Sequence, residues 1–185
     1  MFLAKKRAAM ADKLIDESQR TGSILDLGCG TTPYFLIKTR FSEKAGVEKR
    51  PVHMPEGAHV RATVHDIEKP QSLPFEDGSF EVVTMLAVLE HLDPKRLIGL
   101  LDEIHRLLRP GGTVILTTPA SWTDPILAVM ARLGLVSHEE IDEHHQTHTH
   151  RSLRELFSRS RFGNAHLQLG RFELGMNLWA KAQKP

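Results

Sequence analysis

The chain is 185 residues long, 41% hydrophobic and 25% charged, with a formal net charge of +1 and a single cysteine. That length suits one domain with a substantial core, and the composition is that of an ordinary globular chain, not a disordered or fibrous one. Near-neutral charge gives no global reason to expect nucleic acid or an anionic membrane, one cysteine excludes an internal disulfide, and no run approaches the ~20 apolar residues of a membrane span. No apolar core follows Lys5-Lys6-Arg7, so the opening residues do not read as a secretory signal, and a cytoplasmic location is expected.

Between Ala4 and about Arg20, residues Ala8, Ala11, Leu14 and Ile15 recur at helical spacing and predict an amphipathic helix, ended by Thr21-Gly22-Ser23. The run Ile24-Leu25-Asp26-Leu27-Gly28-Cys29-Gly30-Thr31 then predicts a buried parallel strand that breaks into a tight turn. Gly28 and Gly30 can take positive φ and leave room for a ligand against the main chain. The short helix expected after Pro33, from Tyr34 to Ile37, points free N–H groups at that space.

A second strand through Ala45-Gly46-Val47 ends at Glu48, about 20 residues past the turn, where a carboxylate can accept from both hydroxyls of a ribose. A third, over His59–His65, ends at Asp66-Ile67, and a turn-rich loop delivers a fourth, Glu81–Leu86. Asp93 and Pro94 predict the start of a helix running through Leu108 and ended by Arg109-Pro110-Gly111-Gly112. Thr113–Thr118 is a fifth buried strand. Beyond it come an amphipathic helix over Trp122–Leu135, a histidine-rich run over residues 138–150, and a helix with a capping box from Ser152 to Glu155. Antiparallel-like segments Ala165–Leu169 and Met176–Lys181 close the order.

Strands alternating with helices predict a parallel sheet covered on both faces, with ligands beyond the C-terminal strand ends. Gly28, Glu48, Asp66 and Leu86 all fall at such ends. A dinucleotide fingerprint would need a third glycine where Pro33 stands, which argues against a nicotinamide or flavin cofactor. Cys29 reads as a small residue that fits the turn.

Four stretches carry a resemblance: Asp26-Leu27-Gly28-Cys29-Gly30; Leu73-Pro74-Phe75-Glu76-Asp77-Gly78-Ser79-Phe80-Glu81; Val88-Leu89-Glu90-His91-Leu92; and Leu107-Leu108-Arg109-Pro110-Gly111-Gly112. In this order, over roughly Ser23 to Pro119, they resemble the class I S-adenosylmethionine-dependent methyltransferases, in particular the type 11-like subgroup. The resemblance implies a Rossmann-like three-layer α/β sandwich, with a seven-stranded, mostly parallel sheet ending in an antiparallel C-terminal hairpin. It implies S-adenosylmethionine as cofactor. Gly28, Cys29 and Gly30 would form the turn beneath it, Asp26 would help hold the methionine end, and Glu48 would take the ribose hydroxyls. Asp66 and Ile67 would sit at the adenine, and the Leu86 carbonyl would accept from the methionine ammonium. Thr32 departs from the family, replacing a third glycine. Glu81 replaces the commoner aspartate, a change expected to matter little.

A single domain over 1–185 is expected, with a cofactor half at about 1–119, a substrate-facing lid at about 120–160 and the hairpin at about 163–183. The acceptor is expected to be a small or medium-sized molecule, and an oxygen acceptor needs a base. His144 and His145 are the first candidates, with His91 and Tyr34 behind them, and His91 reads first as a residue lining the cofactor site. A rival reading makes the 138–150 run a metal-binding loop on a non-catalytic module, but its spacing fits no standard zinc pattern, so no metal is expected. Methylation of protein or nucleic acid is a further alternative, which the near-neutral charge disfavours for RNA.

Overall fold

The computed structural model describes residues 2–69, 71–121 and 148–185. The helix expected over Trp122–Leu135 and the candidates His144 and His145 lie outside them. Helix α1 (Phe2–Leu14) and a 3-10 turn (Glu17–Thr21) lead into β1 (Ser23–Leu27), α2 (Tyr34–Lys38), β2 (Glu43–Glu48), β3 (Arg61–Val64) and β4 (Phe80–Leu86). A second 3-10 turn (Leu89–His91) precedes α3 (Leu97–Leu107) and the long β5 (Leu108–Pro119). Helix α4 (His150–Ser158) and the strands β6 (Leu167–Phe172) and β7 (Asn177–Gln183) follow.

The strands form one seven-stranded sheet in the order β3-β2-β1-β4-β5-β7-β6. Every pair is parallel except those of β7, which runs antiparallel to both β5 and β6. This is the α/β architecture expected. The apolar runs of β1, β4 and β5 are long because both faces are covered. On one face Ala8, Ala11 and Ile15 of the N-terminal helical region pack with Ile24, Leu36, Val82 and Ile115. On the other, Leu97, Leu101, Ile104 and Leu107 of α3 and Leu153 and Phe157 of α4 pack with Leu25, Val83, Val114 and Leu116.

Several boundaries differ from the sequence reading, each for a local reason. The first helix stops at Leu14, short of Arg20, because Arg20 folds back onto it: the guanidinium donates to the Asp12 carbonyl at 2.9 Å and pairs with the Asp12 carboxylate at 3.0 Å. An arginine so placed satisfies a terminal helix carbonyl. Asp93 does not cap α3. Its carboxylate accepts from Lys95 N–H at 2.9 Å and its carbonyl from Arg96 N–H, closing a separate turn ahead of the helix. Nor does Arg109-Pro110-Gly111-Gly112 end α3, since it lies inside β5, where the register against β4 shifts and Gly111 takes φ +78°. The capping box of α4 runs from Thr149 to Ser152, not from Ser152 to Glu155: Thr149 Oγ1 accepts from Ser152 N–H at 3.1 Å and Ser152 Oγ from Thr149 N–H at 2.9 Å.

Glu81 also does more than expected. Its carboxylate accepts from Ser23 N–H and pairs with Arg109, holding the first residues of β1, β4 and β5 together. The group lies where a side chain on Gly22 would stand, 2.0 Å from an ideal Cβ. Gly22→Ala should therefore destabilise the fold by ~1–3 kcal/mol, as overpacking does. In a double-mutant cycle with Glu81→Ala, urea unfolding should show the alanine at position 22 costing clearly less once the carboxylate is gone.

Candidate functional site

The parallel strands end together, and beyond their C-terminal tips lies a cavity of about 440 Å³. Its lining comes from the turn after β1 (Gly28), the end of β2 and the residues after it (Val47, Glu48, Lys49, Arg50), the segment after β3 (His65, Asp66, Ile67, Glu68) and the segment after β4 (Ala87, Val88, His91, Leu92). The volume falls in the ~300–1,000 Å³ range of small-molecule sites.

Main-chain hydrogen bonds fasten the turn after β1 to β2. The Val47 carbonyl accepts from Gly28 N–H at 2.8 Å and from Cys29 N–H at 3.1 Å. Glu48 Oε2 accepts from Gly30 N–H and Oε1 from Lys49 N–H, each at 3.0 Å. Two backbone donors thus orient the carboxylate, and each oxygen keeps a second lone pair. Gly28 and Gly30 take φ +72° and +76°. A Cβ on Gly28 would lie 2.5 Å from Val88 Cγ2, whereas one on Gly30 would meet nothing nearer than the Thr32 carbonyl at 3.9 Å. Gly28 is small so that the segment after β4 can close against it, and Gly30 leaves open space.

Asp26 lies beneath the cavity wall, fully enclosed, with Thr84 Oγ1 donating to its Oδ1 at 2.6 Å. Burial pushes its pKa from the ordinary 3.8 up to about 7, against the opposing effect of the Thr84 hydrogen bond and with a smaller push from Glu48. Asp66 Oδ1 accepts from Glu68 N–H at 3.1 Å. Cys29 is buried, its sulfur against the space at Gly46 and beside Leu36, and burial raises its thiol to about 12.

Of the residues singled out from sequence, Gly28, Glu48, Asp66, Ile67 and His91 meet at this one cavity. Asp26, Cys29, Gly30 and Leu86 adjoin it without lining it. Sequence reasoning passed over Val47, Lys49, Arg50, His65, Glu68, Ala87, Val88 and Leu92. Adjacency to Glu48 and Asp66 was a usable signal for Lys49 and His65. Ala87 had none: it takes φ +58° without being glycine, and its N–H donates to the Thr117 carbonyl at 2.9 Å. Among the described residues no three of His, Cys, Asp and Glu converge as metal ligands. None of the described helices is long and apolar enough to cross a membrane.

A sequence profile of the methyltransferase domain matches residues 2–167. The chain belongs to this family. Its cofactor is S-adenosylmethionine, as for the S-adenosylmethionine-dependent methyltransferases that share its fold. Among curated relatives it is 29% identical over 111 residues to the uncharacterized methyltransferase sll0829 of Synechocystis, covering 54% of this chain and 49% of that protein. It is 31% identical over 109 residues to the tRNA N(3)-cytidine methyltransferase METTL2 of Danio rerio, covering 50% and 30%. It is likewise 31% identical over 108 residues to the ubiquinone biosynthesis O-methyltransferase of Pseudomonas paraeruginosa, covering 52% and 44%. The matches thus span half or less of these relatives' lengths. Among solved structures, the methyltransferase in complex with the Haloferax volcanii Trm112 activator superposes with TM-score 0.70 at 17% identity, over 97% of this chain and 89% of that one. A methyltransferase from Mesorhizobium loti gives 0.68 at 17%, over 98% and 100%. At these identities the likeness is one of fold.

Two outcomes follow from the buried acids and thiol. With its folded value near 7 and an unfolded value near 3.8, Asp26 holds a proton that the unfolded chain has released. Its contribution to stability is complete below about pH 4 and lost as pH rises through about 7. Thermal melts from pH 4 to 8 should therefore show Asp26→Asn gaining on the parent chain as pH rises. Cys29 should resist iodoacetamide at pH 8 in the native protein and react once urea unfolds it, as mass spectrometry would read.

Proposed function

We propose that this chain moves the methyl group of S-adenosylmethionine onto a small or medium-sized acceptor, with Glu48, Asp66 and the glycine turn holding the cofactor. The observation that supports this reading is the meeting of Gly28, Glu48, Asp66 and Ile67, from three separate chain segments, at one cavity of suitable size.

The residues fit the molecule. Glu48 offers two oriented oxygens to neighbouring ribose hydroxyls, its geometry set by Gly30 N–H and Lys49 N–H before any ligand arrives. Asp66 accepts from an exocyclic amine, and Ile67 supplies an apolar contact for a flat base. Asp26 lies next to the turn, where a ligand ammonium would favour its ionised form. The bound cofactor supplies a methyl group on a positively charged sulfur, already activated for displacement. What remains for the protein is alignment and exclusion of water, which together contribute on the order of 7–11 kcal/mol in well-oriented reactions. His91 lines the cavity and reads as part of the wall.

RNA is a second acceptor class with one observation behind it, the METTL2 relative, described as acting on tRNA. Near-neutral charge is accordingly no ground for setting it aside, and Lys49 and Arg50 at the cavity are the basic groups an RNA would meet first.

Isothermal titration with S-adenosylhomocysteine tests the cofactor half. Loss of a charged hydrogen-bond acceptor costs ~1.5–3 kcal/mol, so Glu48→Gln should weaken binding roughly 10- to 150-fold with the melting temperature little changed. Unchanged affinity would remove Glu48 from the site. Gly28→Val should abolish binding, and adding Val88→Ala should restore part of it. Incubation with methyl-labelled cofactor and a panel of phenols, amines and tRNA, read by product mass, identifies the acceptor.

A further inference from the structure

The turn Leu89–His91 has a second neighbour besides the cofactor cavity. His148 is 4% exposed and stands beyond the end of β5, where it bridges Ala120 and its carbonyl accepts from Ser121 N–H at 3.1 Å. Its ring is hydrogen-bonded to the Leu89 carbonyl. A carbonyl only accepts, so the ring nitrogen on it carries the proton. That nitrogen is Nδ1, because Nε2 is shut off from solvent without any hydrogen-bond partner. The tautomer is thereby set: a neutral imidazole here presents its lone pair at Nε2. Burial lowers the pKa of the ring and keeps it neutral.

A buried acceptor atom with no donor calls for an explanation, and a ligand O–H is a group that would supply one. The surroundings agree. Glu90, 2% exposed, is carried on the same turn and accepts from Thr118 Oγ1 at 3.1 Å, so a polar interior has been built at the ends of β4 and β5. In an open parallel sheet that end is where ligands bind. Leu89–His91 thus carries His91 on the cofactor cavity and holds His148 through its first carbonyl.

We propose that His148 Nε2 receives the acceptor's proton during methyl transfer, and that the acceptor is a hydroxyl compound of the phenol class. This rests on the methyltransferase reading above. As the acceptor oxygen bonds to the methyl carbon, the carbon–sulfur bond breaks with its electron pair staying on sulfur and the hydroxyl proton passes to Nε2. The products are a neutral methyl ether, a neutral thioether and an imidazolium, which returns its proton to water. A phenol, with a pKa near that of tyrosine at about 10, is far better matched to an imidazole base than an aliphatic alcohol.

The test uses the whole chain saturated with S-adenosylhomocysteine. Long-range nitrogen–proton NMR, with His148→Phe for assignment, should show Nε2 unprotonated and Nδ1 protonated. Added phenol should shift Nε2 as a hydrogen-bond acceptor shifts, and anisole, which lacks the O–H, should not. A protonated Nε2, or equal response to phenol and anisole, overturns the proposal. In a second arm, His148→Gln should slow labelled-methyl transfer to phenols by ~10²–10⁴-fold, the usual worth of a positioned base, with S-adenosylhomocysteine affinity unchanged. An unchanged rate overturns it equally. Should the parent chain bind the cofactor yet label no acceptor, the methyltransferase reading fails, while the nitrogen spectrum still decides on His148.

Discussion

The site depends on one junction, the fastening of the turn after β1 to the tip of β2. A single carbonyl, that of Val47, accepts from both Gly28 and Cys29, and the next residue, Glu48, takes the N–H of Gly30 on its carboxylate. Three consecutive backbone donors of the turn are thereby satisfied by two consecutive residues of the neighbouring strand. A turn with two positive-φ glycines would otherwise be costly to order. The same junction orients Glu48, so the residue proposed to hold a ribose is also the one that shapes the loop beside it.

Around this junction the sheet acts as a bracket. The register that pairs Leu27 with Val47 and Glu48 with Val64 brings the chain after three strands to one level. The segment after β4 reaches that level by a different device: Ala87 turns with positive φ, its N–H held by Thr117 of β5, and Val88 closes into the space that Gly28 leaves. Burial then has opposite uses on the two sides. It keeps Asp26 close to neutral under the turn, where a ligand ammonium would ionise it, and it leaves His148 neutral with a lone pair to offer.

Much of this was legible along the chain. The acids Glu48 and Asp66 were found because each follows an apolar run at a strand's C-terminal end, and Gly28 because two glycines break such a run. The segment after β4 was harder. Ala87 adopts a glycine-like conformation without being glycine, and Val88 matters only through a contact with a residue 60 positions away. Glu81 looked interchangeable with aspartate because its partners, Ser23 N–H and Arg109, lie on two other strands. Cys29, grouped with the turn, has its side chain against Gly46 in the core.

The sequence by itself determined the strand–helix alternation, the buried faces and the identity of the acids at the strand ends, because those are consequences of local periodicity and of where apolar runs stop. Only the tertiary structure decided which strand lies beside which, which carbonyl holds the glycine turn and which nitrogen of His148 keeps the proton. Those are relations between residues distant in the chain, fixed by hydrogen bonds and steric fit across the sheet, and one-dimensional spacing carries no record of them.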